Sequence, residues 1–455
     1  MTDILRNIDV KSLTDKYRDK TLSPLDVTKA CLEKIESIKD LNAFCFIDKK
    51  TTLEQADNSE KRWQKGQPLS PVDGVPCTIK DTFLTKKWPR LEGSKIIDPD
   101  QNWDEDSPPV ARLRESGAVF LGKTTTPEFG HKGVTDSPLM GTTYNPWDKT
   151  KTPGGSSGGA AVAAHQGTGL LHLGSDGGGS IRIPASFTGV FGFKPSQGLV
   201  PAYPPSPFST IATAGPLTRT VRDAAIMMDI ISKPDKRDWF SLPYQGWTLS
   251  EGLEEPLSNL KIGVIVRLND YPVWPEIENK VRSASACFEE IGHLKEIELD
   301  IPNLTECFNN YWMAGAKLLL ESLPEEKREL LDPDLVYWGK MGQEMALEKY
   351  LWAEMERINI GMQMQALFHD YDLIILPSTA MPAFNIGQAS PRTLEGEKWE
   401  SWTPNTYLAN LAKLPAASIP CGFTSKGLPI GLQIMGGFLQ DKSVLRAARH
   451  FEKRK

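Results

Sequence analysis

Glycine and serine crowd into two short stretches of this chain: Thr152-Pro153-Gly154-Gly155-Ser156-Ser157-Gly158-Gly159 and Gly174-Ser175-Asp176-Gly177-Gly178-Gly179-Ser180-Ile181-Arg182-Ile183-Pro184. Alone, either stretch would read as a flexible linker. The first, however, runs directly into Ala160-Ala161-Val162-Ala163-Ala164, a strong helix former, and the second follows the apolar run Leu170 to Leu173. Both therefore sit between buried elements. In that setting glycine permits unusual backbone dihedrals and lets main-chain N–H groups face a ligand without side-chain obstruction. Gly177, Gly178, Gly179 and Ser180 make a row of donors at a strand end, the arrangement needed to hold a developing oxyanion. The serine that ends the row is a candidate nucleophile.

A nucleophilic serine needs a base, and the nearest histidines do not supply one. His165 and His172 fall in the helix and in the strand, where structural roles are expected. A lysine can serve instead if burial or a neighbouring cation lowers its pKa. The candidate is Lys80, which closes the apolar run in Asp73-Gly74-Val75-Pro76-Cys77-Thr78-Ile79-Lys80-Asp81, so that its stem leaves the sheet in a buried environment.

The rest of the chain predicts an α/β fold. Val75 to Ile79, Ala118 to Leu121, Leu170 to Leu173, Ile262 to Val266, Leu373 to Leu376 and Ala416 to Ile419 are short apolar runs bounded by Gly, Pro or charge, as buried strands are. Helix-like segments separate them; the first has Ser23 as N-cap and Pro24 at the first helical position. The alternation predicts an α/β layered architecture around a mixed or mostly parallel sheet. Lys233 to Asn259 reads as a solvated connection, and Glu321 to Asp334 as an exposed helix face.

Two further patterns mislead. Gly117 to Thr124 fits the phosphate-loop spacing GxxxxGK[ST], but its intervening residues are themselves strand-like and Pro127 follows soon after. Gly154 to Gly158 fits the GxSxG nucleophile elbow, but no strand precedes it through Asp148 to Thr152.

The segments around Lys80, Ser156 and Ser180 together resemble the amidase signature family, whose members carry G-x-P-x-x-I-K-D, GGSSGG and D-x-G-G-S-I-R-x-P stretches in this order. Similar positions recur in Gly117 to Thr124, Asn145-Pro146-Trp147, Gly215 to Val221, Ala416 to Gly422 and Gly427 to Gln433. The resemblance covers nearly the whole chain and is weakest over about 235–370. It implies a large twisted mixed sheet covered by helices on both faces, and one catalytic domain over 1–455, with the variable stretch bearing on substrate choice.

Carried over by position, the resemblance makes Ser180 the nucleophile, Lys80 the ultimate base and Ser156 the bridge between them, with the Gly155–Ser156 peptide bond in cis. Gly177, Gly178, Gly179 and Ser180 become the oxyanion donors and substrate-binding groups. Ser157, Ser175, Asp176 and Arg182 become the supporting groups that fix the loop and orient Lys80. Gly177 stands where many relatives have threonine or isoleucine, and Ser175 where threonine is common. The resulting DGGGS form points to free-standing amidases more than to transamidation subunits.

The expected activity is hydrolysis of a carboxylic acid amide through a seryl acyl-enzyme, with no cofactor and no metal. The alternative is the glutaminase subunit of a tRNA-dependent amidotransferase; a catalytically silent scaffold would be expected to lose one of the three central residues. A formal net charge of −6 argues against a nucleic-acid or anionic-lipid surface and favours a small-molecule partner. Six scattered cysteines without a CxxC pair fit a reducing cytoplasm, and the opening Met1 to Asn7 lacks the basic start of a leader. No apolar run approaches the length that spans a bilayer. A homodimer is compatible with the charge and pattern, which do not demand one. Trp402 and Phe208 either line the substrate pocket or pack in the core, the latter being the ordinary reading.

Overall fold

The computed structural model describes residues 6–269, 271–392 and 402–454. Met1 to Leu5, within the start from which the lack of a leader was expected, lie outside the described residues. Among the described residues eleven strands form one sheet: β1 (Phe44–Phe46), β2 (Pro76–Lys80), β3 (Val119–Thr124), β4 (Leu171–Asp176), β5 (Phe191–Lys194), β6 (Thr213–Thr218), β7 (Leu260–Val264), β8 (Gly292–Glu296), β9 (Leu373–Pro377), β10 (Ala416–Phe423) and β11 (Pro429–Gly436). Their spatial order is β1-β3-β2-β4-β6-β5-β10-β11-β9-β7-β8. Toward one side β3, β2 and β4 run parallel, and toward the other β9, β7 and β8 do so. The pairs between them are antiparallel.

Each of the six apolar runs is a strand, displaced by at most a few residues at its ends. Period-2 alternation explains why both faces are covered. On β9, Leu373 and Ile375 join a core with Val221, Ile277, Val281 and Leu445, whereas Ile374 and Leu376 join a second core with Leu304, Phe308, Ile360 and Leu408. Helices Val221–Ile231, Pro275–Ser285 and Asp441–Glu452 thus cover one face there, and Leu304–Ser322, Leu347–Asp370 and Pro404–Leu411 the other. The opening helix Pro24–Ser37 is capped as its sequence predicts, with Ser23 Oγ accepting from the Asp26 N–H at 3.0 Å.

Lys233 to Asn259 contains no helix or strand, in keeping with a connection. Glu321 to Asp334 departs from the expectation of an exposed face: Asp332 is buried, and it caps the helix Pro333–Glu344 by accepting from the Asp334 N–H.

Candidate active site

Every residue of β2 is buried, because the strand lies inside the sheet between β3 and β4. Its last residue, Lys80, therefore ends its stem in a water-excluded place at the edge of the two glycine-serine loops. Lys80 Nζ lies 2.7 Å from Ser156 Oγ, 3.1 Å from Ser157 Oγ and 2.9 Å from Ser175 Oγ. Burial pulls the Lys80 amine down to about 7, only partly opposed by the charges of Asp176 and Glu92. The Gly155–Ser156 peptide bond is cis.

Lys123 is the lysine of the misleading phosphate-loop pattern, and it lies within β3 rather than at a loop-to-helix junction. Its ammonium is buried, 2.9 Å from Asp81 Oδ1 and donating to the Phe83 and Pro89 carbonyls. His165 and His172 are likewise structural in their surroundings. His165 packs on Trp147 with ring centroids 5.0 Å apart, and His172 Nδ1 meets Thr78 Oγ1 at 2.9 Å. Burial, with the charges of nearby arginines, depresses both imidazoles, to about 4 and about 3.

The Ser180 loop leaves the C-terminal end of β4 and is held by Asp176. The Asp176 carboxylate accepts from the Gly179 N–H at 2.7 Å and the Ile181 N–H at 3.1 Å. The expected row of four oxyanion donors is thereby reduced, since the Gly179 N–H is already engaged. Gly177, Gly178 and Ser180 keep N–H groups that make no hydrogen bond among the described residues. Gly179 is at φ +120, and a Cβ there would come within 2.5 Å of Thr406 Oγ1. Glycine is required at that turn for both reasons.

Arg182 clamps the same carboxylate. Its Nε and Nη2 donate to Asp176 at 3.0 and 2.9 Å, and its remaining N–H groups reach Asn410 Oδ1, Gln433 Oε1 and the Thr406 carbonyl. Burial alone would raise the Asp176 carboxyl, but Arg182 holds it well below the usual carboxylate range. Asn410 closes the network by donating to the carbonyls of Asp176 and Ile211.

Ser180 itself is tied in through its backbone, its carbonyl accepting from the Ser157 N–H at 3.1 Å. Its hydroxyl makes no hydrogen bond among the described residues and opens onto a cavity. The structure thus brings Lys80, Ser156, Ser157 and Ser175 into one contact group, with the Ser180 loop against it and its hydroxyl free. The cavity is lined by Phe308, Trp312, Tyr337, Trp338, Trp402 and Tyr407, among others. Trp402 both lines it and packs on Phe187, with ring centroids 5.9 Å apart. Phe208 instead lies behind the wall, stacked on Trp312 at 3.9 Å.

Sequence reasoning missed Thr406, Asn410, the role of Gln433, and the lining residues His131 and Asp334. For Asn410 and Gln433 a signal existed: polar residues inside otherwise buried segments need partners.

The Amidase family profile matches residues 26–445. An acylamidase from Rhodococcus erythropolis is 34% identical over 440 residues, covering 95% of this chain and 92% of the relative. A glutamyl-tRNA(Gln) amidotransferase subunit from Methanosarcina acetivorans is 33% identical over 478 residues, covering 98% and 96%. Among solved structures, a bacterial aryl acylamidase of the amidase signature enzymes superposes with a TM-score of 0.91 at 29% identity, over 98% of this chain and 96% of that one. The family profile and these relatives make the chain a hydrolase of amide C–N bonds. The chain belongs to the amidase family.

Proposed function

We propose that this protein cleaves small-molecule carboxylic acid amides through an acyl-enzyme on Ser180, acting as a free-standing amidase. The observation that carries the reading is the buried Lys80 amine, 2.7 Å from Ser156 Oγ and titrating near neutrality. In its neutral form it accepts the Ser156 hydroxyl proton while Ser156 takes that of Ser180. Ser180 Oγ then bonds to the carbonyl carbon, and the oxyanion faces the N–H groups of Gly177, Gly178 and Ser180. Return of the proton through Ser156 to the amine nitrogen accompanies C–N cleavage. Water, deprotonated by the same route, releases the acid and restores Ser180. Asp176 and Arg182 hold the loop, while Ser157 and Ser175 orient Lys80.

The alternative, a glutaminase subunit, would have to accommodate the α-carboxylate of glutamine. Among the described lining residues the cation is Lys132, and it is already paired with Asp136 and Asp332 at 2.6 Å each. This favours the free-standing reading. Trapping Ser180 with reactive acyl compounds, followed by mass spectrometry of its peptide, tests the nucleophile directly; acylation that persists undiminished in S180A overturns it.

A single domain over 1–455 is supported by one core that joins Ile8 to Phe451. A cytoplasmic setting is supported by six scattered cysteines without a CxxC pair. Self-association is supported by the helix Leu347–Asp370, which exposes Leu347, Leu351, Met355, Ile358 and Met362 along one stripe. The stripe has nearly the same spacing read from either end about Met355, so two copies can pair antiparallel with the same residues on both sides.

A further inference from the structure

The cavity at Ser180 has a polar end that the hydrolytic reaction does not use. His131 lines it, yet its side chain is only 1% exposed. Nδ1 lies 2.8 Å from the Glu128 carbonyl, which only an N–H can satisfy, so the proton resides there and Nε2 is left as an acceptor. Nε2 is buried and has no hydrogen-bond partner among the described residues. Asp332 Oδ1, another acceptor, lies 3.8 Å from it. Asp332 Oδ1 already accepts from the Asp334 N–H, so the unmet acceptor is Nε2, and it calls for a donor.

The charges agree. Asp332 and Asp136 share Lys132, whereas Asp334, half-buried in the same lining, forms no ion pair among the described residues. Of these three carboxylates Asp334 alone lines the cavity, and the ammonium of Lys132 beside it is taken by the other two. The wall beside them is aromatic: Trp312 and Tyr407 flank Phe308 at 5.4 and 3.7 Å in stacked geometry, and Trp338 and Trp402 complete it. Aromatic faces next to an unpaired carboxylate favour a cation and disfavour an anion.

We propose that this end of the cavity is a subsite for an ammonium group carried on the substrate, with Asp334 and His131 Nε2 accepting its N–H groups and the aromatic wall covering its apolar stem. The protein is then an amidase of amine-bearing amides and discriminates against carboxylate-bearing ones. The inference rests on the amidase reading and adds the substrate class to it.

Two measurements on the full chain test it. The first compares kcat/KM for 6-aminohexanamide, heptanamide and adipic acid monoamide, which differ chiefly in their terminal group. The expected order is ammonium over neutral over carboxylate, by about tenfold at each step, and D334N should bring the ammonium-to-neutral ratio to within about twofold. The second titrates hexylammonium and hexanoate into S180A by calorimetry, with and without D334N; hexylammonium should bind at least about tenfold tighter, and D334N should remove the difference. Amide hydrolysis without the ammonium preference, or a preference untouched by D334N, overturns the subsite and leaves the amidase reading standing. Binding of hexylammonium that depends on Asp334, with none of the three amides cleaved, sinks the amidase reading instead.

Discussion

Lys80 and Ser156 meet at 2.7 Å in a pocket where no carboxylate of the described residues contacts the amine. Such a lysine is charged only at a cost in solvation, which is why its amine sits near 7. The base is the neutral form, so it is present above that value and lost below it. The rate, as kcat/KM, is expected to rise with pH through about 7 and level off on the alkaline side. A stopped pH series with a neutral amide checks this; a rate already on its plateau at pH 5 would exclude Lys80 as the base.

Removing the proton path should separate the two serines. Ser180→Ala removes the bond-forming atom and should abolish turnover, and Lys80→Ala should do nearly the same. Ser156→Ala leaves the nucleophile but breaks the relay, with an expected loss of about 10²–10⁴-fold. Single-turnover acylation measured for the three variants distinguishes them, and full activity in Ser180→Ala or Lys80→Ala sinks the assignment.

The Asp176–Arg182 pair is wholly buried, so losing one member strands the other. Arg182→Met is expected to cost about 3–5 kcal/mol, read as a lower midpoint in urea unfolding. Asp176 also makes stability depend on pH. Its folded carboxyl titrates below the unfolded value, so its contribution is complete above about pH 4 and declines as the solution becomes more acid. Arg182→Met should flatten that acid limb; an unchanged limb would assign it to other groups.

Met355 lies at the middle of the exposed stripe, where a two-fold partner would meet it with its own Met355. Met355→Glu places two like charges face to face and should shift the protein to monomer in light scattering, with the unfolding midpoint hardly changed because the side chain is exposed. A wild-type chain that is monomeric at high concentration rules out this interface.

Much of the sheet was legible because buried strands announce themselves as apolar runs, as Ile374 and its neighbours do. Strands β5, β6 and β11 were not picked out by that rule, since Gly192, Gly215, Pro216 and Gly431 interrupt them. Lys80, Ser156 and Ser180 could be proposed as one centre because each lies in a short motif, and the structure sets Lys80 against Ser156 with the Ser180 loop beside them. What remained hidden depends on distance along the chain. Nothing near residue 410 signals that Asn410 will meet Arg182, and nothing in the charged run before Pro333 signals that Asp332 will turn inward to Lys132. The engagement of the Gly179 N–H was also invisible, because a run of glycines does not say which of its N–H groups a nearby carboxylate will take.

The clamp on the Ser180 loop reaches across 224 positions to Thr406 and 251 to Gln433. Synthesis proceeds from the N-terminus, so a nascent chain displays its lysine and both serines long before the segment that fastens them exists. The proposed centre is therefore completed late, and a ribosome-stalled or prematurely ended product carries these residues without their clamp.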